Sequence, residues 1–242
     1  SYQAFSFLNA GYVMANSQLH EKFKVVYGAR LESYNQQFNY IEFGSNLAKN
    51  LDTTVNDILP SVNVIFSPTK RINLRLAYFK TVSRPEFREL APFAFYNFIQ
   101  DNILSGNPQL QRATINNYDI RFEYFPGKNQ IISVSGFYKE LFNPIELINR
   151  TGTSGAPELY YTNVPKVTNF GGEMEYRINF GFLSKKDTSD TNLWSGLNAY
   201  TNLSLIRSNV DLSQVVGSGD SRPLQGQSPY IINAGLSYAH PT

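Results

Sequence analysis

No cysteine occurs in the 242 residues, so a disulfide framework and a thiolate metal site are both excluded. Histidine is nearly absent. His20 and His240 stand at opposite ends of the chain, which leaves no well-founded paired-imidazole metal site or catalytic dyad. Charge of either sign is not in excess: 21 basic residues face 19 acidic ones, and this balance predicts no strong pull towards nucleic acid or anionic lipid. Long apolar runs are also missing. The longest are four or five residues, such as Tyr12–Ala15, far short of the ~20 that a spanning helix needs. No basic-then-apolar leader opens the chain, which fits a mature protein or a piece of one.

What the chain does have is aromatic side chains. It carries 16 Tyr and 18 Phe against a single Trp, a composition suited to half-buried pleated surfaces and to the girdles of membrane barrels. The dominant periodicity is two, and it predicts about nine strands of roughly ten residues or more. Phe5–Met14 and Phe23–Glu32 are joined by a short polar turn, and a long polar loop from about Phe43 to Asp57 follows. Ile58–Phe66 and Ile72–Thr81 meet at the tight Ser67–Arg71 turn, before a very long excursion from Arg84 to about Arg112. Asn117–Phe125 and Gln130–Leu141 meet at Pro126–Asn129. Asn143–Val167 is then long, Ser184–Asn192 shorter and Asn209–Ser228 long again. Short and long connections alternate, as in outer-membrane barrels with short periplasmic turns and long outer loops.

The strands sort into two faces. Phe23, Val25, Tyr27, Ala29 and Leu31 oppose Lys24, Gly28, Arg30 and Glu32. Tyr118, Ile120, Phe122 and Tyr124 oppose Asn117, Asp119, Arg121 and Glu123, and the pattern repeats in Ile72–Lys80 and Gly172–Phe180. A soluble sandwich would bury the apolar face in a core. A barrel would turn it to lipid and its polar face to a lumen. Strand length, a strand spacing of roughly 20–30 residues instead of 8–12, and aromatics near strand ends (Tyr124–Phe125, Phe137–Tyr138, Phe180–Phe182) favour the antiparallel transmembrane β-barrel. Arginine facing lipid at the midplane costs about 2–4 kcal/mol. Arg30, Arg75, Arg121 and Arg177 are therefore expected to face the lumen with Glu32, Asp119, Glu123, Glu173 and Glu175, as an ion-paired wall. Nine alternating strands would close only through a parallel pair, and open edges in hydrocarbon are costly. The expectation is a partial barrel spanning 1–242, with further strands elsewhere.

An ordered series of motifs resembles the C-terminal half of the TonB-dependent outer-membrane receptors. It runs through Val26–Glu32, Leu59–Asn63 and Asn73–Tyr78 into Thr81–Leu90, with Ser83–Arg84–Pro85–Glu86–Phe87 at its centre. Gly106–Asn107–Pro108–Gln109–Leu110, Asn117–Asp119, Gly136–Lys139, Gly171–Glu175 and Gln225–Tyr230 follow in order. The resemblance implies a 22-stranded barrel holding an N-terminal plug, and import of a scarce nutrient with energy relayed by TonB. The ligand would be a small molecule, a glycan or a peptide, and the site the outer membrane of a Gram-negative bacterium. Its implied partners are membrane lipid, the plug and the TonB complex, the last two through parts not seen in this sequence. It implies no cofactor. The same pattern starts an outer loop at Arg84, Glu86, Arg88 and Glu89, with Phe93, Phe95, Tyr96 and Phe98 offering stacking surface; a structural rim network is the alternative for the charged members. Two other functions stay open: a non-transporting barrel that scaffolds a complex, and a soluble sandwich that binds carbohydrate.

No enzyme is expected. Glu173 and Glu175 share a face, yet an ion-pair role suits them better than acid–base work. Asp187 and Asp190 lack calcium-loop spacing, Gly217 and Gly219 follow no strand-to-helix turn, and Asn149–Thr151 matches a glycosylation acceptor of little meaning in a bacterial envelope.

Overall fold

A strand whose side chains alternate between hydrocarbon-loving and charged can satisfy both only as part of a wall with two different solvents. The computed structural model describes residues 2–41, 48–99, 101–127, 129–150, 158–183, 193–213 and 221–239. In chain order these form β1 (Tyr2–His20), β2 (Phe23–Ile41), β3 (Ala48–Thr69), β4 (Ile72–Ser83), the single helical turn α1 (Phe87–Leu90), β5 (Ala94–Asn97) and β6 (Asn102–Ser105). Then come β7 (Ala113–Tyr124), β8 (Ile131–Phe142), β9 (Ile145–Arg150), β10 (Glu158–Asn163), β11 (Lys166–Asn179), a 3₁₀ turn (Phe180–Leu183) and α2 (Leu193–Gly196). The last elements are β12 (Leu197–Asp211), the two-residue β13 (Ser221–Arg222) and β14 (Tyr230–Tyr238).

One ten-stranded antiparallel sheet runs β1-β2-β3-β4-β7-β8-β11-β12, with β14 on the lower part of β12 and β13 on its upper part. Apart from β13, that makes nine long strands, each paired with its neighbour in sequence order or across a long loop. A second sheet, β5-β6-β10-β9, is built wholly from the long loops and includes the parallel pair β6–β10.

The register lines up the faces. Leu76, Ile120, Gly136 and Gly172 are partners across four strands, as are Leu74, Phe122, Val134 and Met174. Leu76, Ile120, Phe122, Val134 and Met174 are all exposed. A contiguous apolar surface of this size is rare on a water-soluble monomer, and no second sheet covers it among the described residues, so the sandwich alternative is set aside. Tyr78, Tyr118 and Tyr138 form one row at the upper edge of this band, with ring centroids 5.2 and 6.3 Å apart, and Phe170 continues it. Directly above lie Lys80, Asn116, Glu140 and Thr168. A row of tyrosines between hydrocarbon below and charge above is what an aromatic girdle does.

Several long loops carry more order than their polar sequences suggest. The expected loop over Phe43–Asp57 is strand from Ala48 onward, paired with β2 as far as Ile41. Above the band the polarity of the hairpin inverts. Outward positions become Ser33, Asn35 and Gln37 opposite Asn56, Thr54 and Asp52, while Phe38, Leu51 and Val55 turn inward. The alternation survives but its meaning reverses, because the outer solvent is now water. The Arg84–Arg112 excursion holds α1, β5 and β6, and Asn143–Val167 holds β9 and β10. Asn209–Ser228 includes the end of β12 and β13. These pieces bury each other: Ile148, Val164, Val167, Val210 and Leu212 form a core that Leu141, Tyr160 and Leu224 flank. The loop Ser184–Asn192 with Asp187 and Asp190, the pair Gly217 and Gly219, Lys128, Thr151 and His240 lie outside the described residues.

Candidate functional site at the outer mouth

The Arg84 and Gly106 motifs turn out to be two halves of one clasp. β4 ends at Ser83, and Pro85 disfavours a helical Arg84, so the chain leaves the sheet extended. Strand parity would have sent Arg84 outward with Lys80 and Val82. Leaving the strand swings its guanidinium over the inner face instead. There Arg84 Nη2 lies 2.7 Å from Glu32 Oε2 and 3.0 Å from Asp57 Oδ2, with the Tyr34 ring 4.6 Å below. Pro85 offers its carbonyl to Gln36 Nε2 at 3.3 Å. Glu86 and Glu89 then close the α1 turn, the Glu86 N–H donating to Glu89 Oε2 at 2.9 Å. Burial holds the Glu89 carboxyl above its ordinary range, against the pull of that backbone hydrogen bond.

Asn107 completes the clasp. Its N–H donates to the Glu89 carbonyl at 2.6 Å, its amide to the Tyr161 carbonyl at 3.2 Å, and its Oδ1 accepts from Gln109 N at 2.9 Å. Gly106 must be glycine here: a Cβ would stand 2.1 Å from the Ala91 carbonyl oxygen and 2.7 Å from that of Glu89. Leu90 and Leu110 are buried beside this crossing, at 1% and 8% exposure.

Two ion networks line the inner face. The upper one runs Arg30–Glu32–Arg84–Asp57–Arg112, closing with Arg30 Nε to Glu32 Oε1 at 2.7 Å and Arg112 Nη2 to Asp57 Oδ1 at 2.8 Å. Glu32 and Asp57 are directly opposite each other across β2 and β3. Two facing carboxylates repel, and three guanidiniums offset that. The lower network runs Arg75–Glu123–Arg121–Glu175–Arg177, at 3.0, 3.0, 2.8 and 3.6 Å. Here Arg75 and Arg121 are the facing like charges and Glu123 sits between them. Asp119 and Glu173 lie on the same face without a guanidinium partner among the described residues; Ser135 Oγ donates to Glu173 at 3.5 Å.

Between the inner side of the β2–β3 hairpin and the Arg84–Arg112 segment lies a cavity of about 580 Å³. Tyr34, Gln36, Gln109 and Gln111 give it amides and a phenol; Leu51, Val55, Leu90 and Leu110 give it aliphatic wall; Arg84 and Arg112 supply charge. Their Nε–H groups are buried and donate to no acceptor among the described residues. The remaining expected mouth residues are placed elsewhere. Arg88 lies over the Phe95 ring at 5.3 Å. Tyr96, on the other face of β5, packs edge-on against Phe98 and hydrogen-bonds Asp101, which raises its pKa. Of the eight expected mouth residues, Arg84 alone lines this cavity. Asp57 and Arg112 escaped the sequence reading because both were taken as loop-end residues. The available signal was Asp57 standing one residue before the Ile58–Phe66 pattern, on the face of Glu32.

The loop core has its own clamp. Arg222 donates to Glu146 Oε2 at 2.7 Å and to the Leu147 carbonyl at 3.1 Å, tying β13 to β9. Burial raises the Glu146 carboxyl pKa even with this cation beside it.

Comparison with known proteins gives the fold a family. In solved structures, the siderophore receptor PirA from Pseudomonas aeruginosa superposes with a TM-score of 0.60 at 15% identity, over 98% of this chain and 46% of its own. The copper transporter OprC gives 0.71 at 16% identity, over 97% and 33%. The ferric yersiniabactin uptake receptor FyuA from Yersinia pestis gives 0.62 at 13%, over 97% and 32%. The chain thus spans 32–46% of the length of these receptors. No curated protein matches it. The family model described as TonB dependent receptor-like, beta-barrel, matches residues 1–242 from end to end. With its exposed apolar band, its charged inner face and its structured outer loops, the chain belongs to the TonB-dependent receptor β-barrel family.

Proposed function

We propose that residues 1–242 form part of the barrel domain of an outer-membrane active transporter, supplying wall and outer ligand-gathering loops. The observation that carries this reading is the split between the two ends of one sheet. Its lower part is apolar outside and charged inside. Its upper part is capped by folded loops that enclose a polar and aliphatic cavity. A wall needs the first, and a receptor needs the second. The two ion networks give the inner face a fixed array of charges, suited to packing against a plug domain encoded elsewhere in the longer protein. Energy would come through TonB acting on that plug. The cargo is a scarce nutrient; the mixture of amides, aliphatics and arginine at the mouth suits a small polar chelate, a glycan or a peptide. A role in transport is supported by the family to which the barrel domain belongs.

The test is uptake. Cells expressing the full receptor should accumulate labelled candidate nutrients, metal chelates first, and lose that accumulation when TonB is deleted. Accumulation that persists without TonB would overturn the reading.

A further inference from the structure

The outer face carries a feature that a featureless hydrocarbon-facing wall does not need. Gly136 and Gly172 are partners on β8 and β11, both on the apolar face, so two side chains are missing side by side. Beside this gap an apolar groove of about 540 Å³ crosses β3 to β8, floored by Val64, Leu76, Ile120 and Gly136. Its upper rim is Tyr78, Tyr118 and Tyr138. One strand pair higher stands Lys80, opposite Asn116. The acid of that row, Glu140, is held by Lys166 at 2.7 Å, and Lys80 has no carboxylate partner among the described residues. Going down the wall, the order is therefore an unpaired cation, a row of phenols, then an apolar trough.

We propose that this strip is a binding site for a phosphate-bearing lipid of the surrounding bilayer. The acyl chain lies in the groove over Gly136, the lipid's polar backbone meets the tyrosines, and Lys80 holds the phosphate. The order of chemistry matches the order of a lipid from tail to head, and charge near the membrane surface favours anionic lipid at about 1 kcal/mol per cation. The site rests on the membrane-wall reading above.

Native mass spectrometry of the protein extracted from its membrane, with added phosphatidylglycerol or phosphatidylcholine of identical chains, tests it. The wild type should retain phosphatidylglycerol about fivefold better, the fold-change that the quoted single-cation term implies. Lys80→Glu should abolish that preference. Arg207→Glu should leave it intact, because Arg207 stands on the same outer face but on β12, four strands away. Gly136→Leu should lower retention of both lipids. A Cβ at Gly136 meets nothing closer than Ile120 Cγ2 at 3.5 Å, so this variant is expected to fold. Retaining both lipids alike in the wild type, or an effect of Arg207→Glu equal to that of Lys80→Glu, would overturn the site while leaving the wall. Solubility without detergent and no lipid retained at all would instead sink the wall reading.

Discussion

The lower wall and the outer cap of this molecule are made of the same strands and obey opposite rules. In the wall, large apolar residues are the exposed ones: Leu31, Ile58, Leu76, Ile120, Val134 and Met174 all face outward. In the cap, the buried apolar residues gather: Phe38, Leu90, Val164, Val167 and Val210 have almost no accessible surface. The buried core of the protein therefore lies in its cap, where the upper strand ends and the outer loops meet. The difference teaches that period-two alternation reports only that a strand has two environments. Which one is oily depends on height along the strand, and β2 and β3 pass through the reversal within a single element.

The sharpest way to break this contrast is to delete the guanidinium that joins the two regions. Arg84→Ala leaves Glu32 and Asp57 facing each other with Arg30 and Arg112 still on them, and removes two charge-assisted hydrogen bonds worth about 1.5–3 kcal/mol each. The heat at which the protein changes its mobility on SDS gels should fall markedly, and an unchanged value would show that the networks contribute little. Next comes a pair of leucines. Leu90→Ala opens a cavity in the cap and should cost about 3 kcal/mol, whereas Leu76→Ala on the outer band should cost well under half of that. Equal losses would mean that the outer band is a packed core after all.

A charge reverses the ranking. Leu76→Arg should cost about 2–4 kcal/mol in lipid, while Thr54→Arg, on the outward face above the band, should change stability by less than about 0.5 kcal/mol. Refolding yield into vesicles reads both. The smallest effect is electrostatic and local. Because burial raises the folded Glu89 pKa, its contribution to the α1 turn is fully present below the unfolded value near 4.3 and is lost as pH rises through the folded one. Amide exchange over Phe87–Leu90, corrected for intrinsic rates, should thus show more protection at pH 4 than at pH 7. Glu89→Gln should flatten that difference.

Much of the wall was legible because its cause is local. Each of Phe23–Leu31, Ile72–Tyr78 and Asn117–Tyr124 states its two faces in its own residues, and the cost of arginine in lipid then fixes which face is inside. The cap was not legible in the same way. Residues 48–57 read as a polar loop because their outward partners are water-facing; only pairing with β2 makes them strand. Phe95 and Tyr96 read as one aromatic cluster, but a four-residue strand sends them to opposite faces.

What the sequence by itself determined is the alternation, the short and long rhythm of connections, and the inward side of Arg30, Arg75, Arg121 and Arg177. All of these follow from neighbours along the chain and from the transfer energy of single side chains. Tertiary structure alone decided that Arg84 crosses to Glu32 and Asp57, that Gly106 sits under the Ala91 carbonyl, and that Val167 and Val210 form a core. Those depend on which distant segments meet above the membrane band, and no local pattern encodes that meeting.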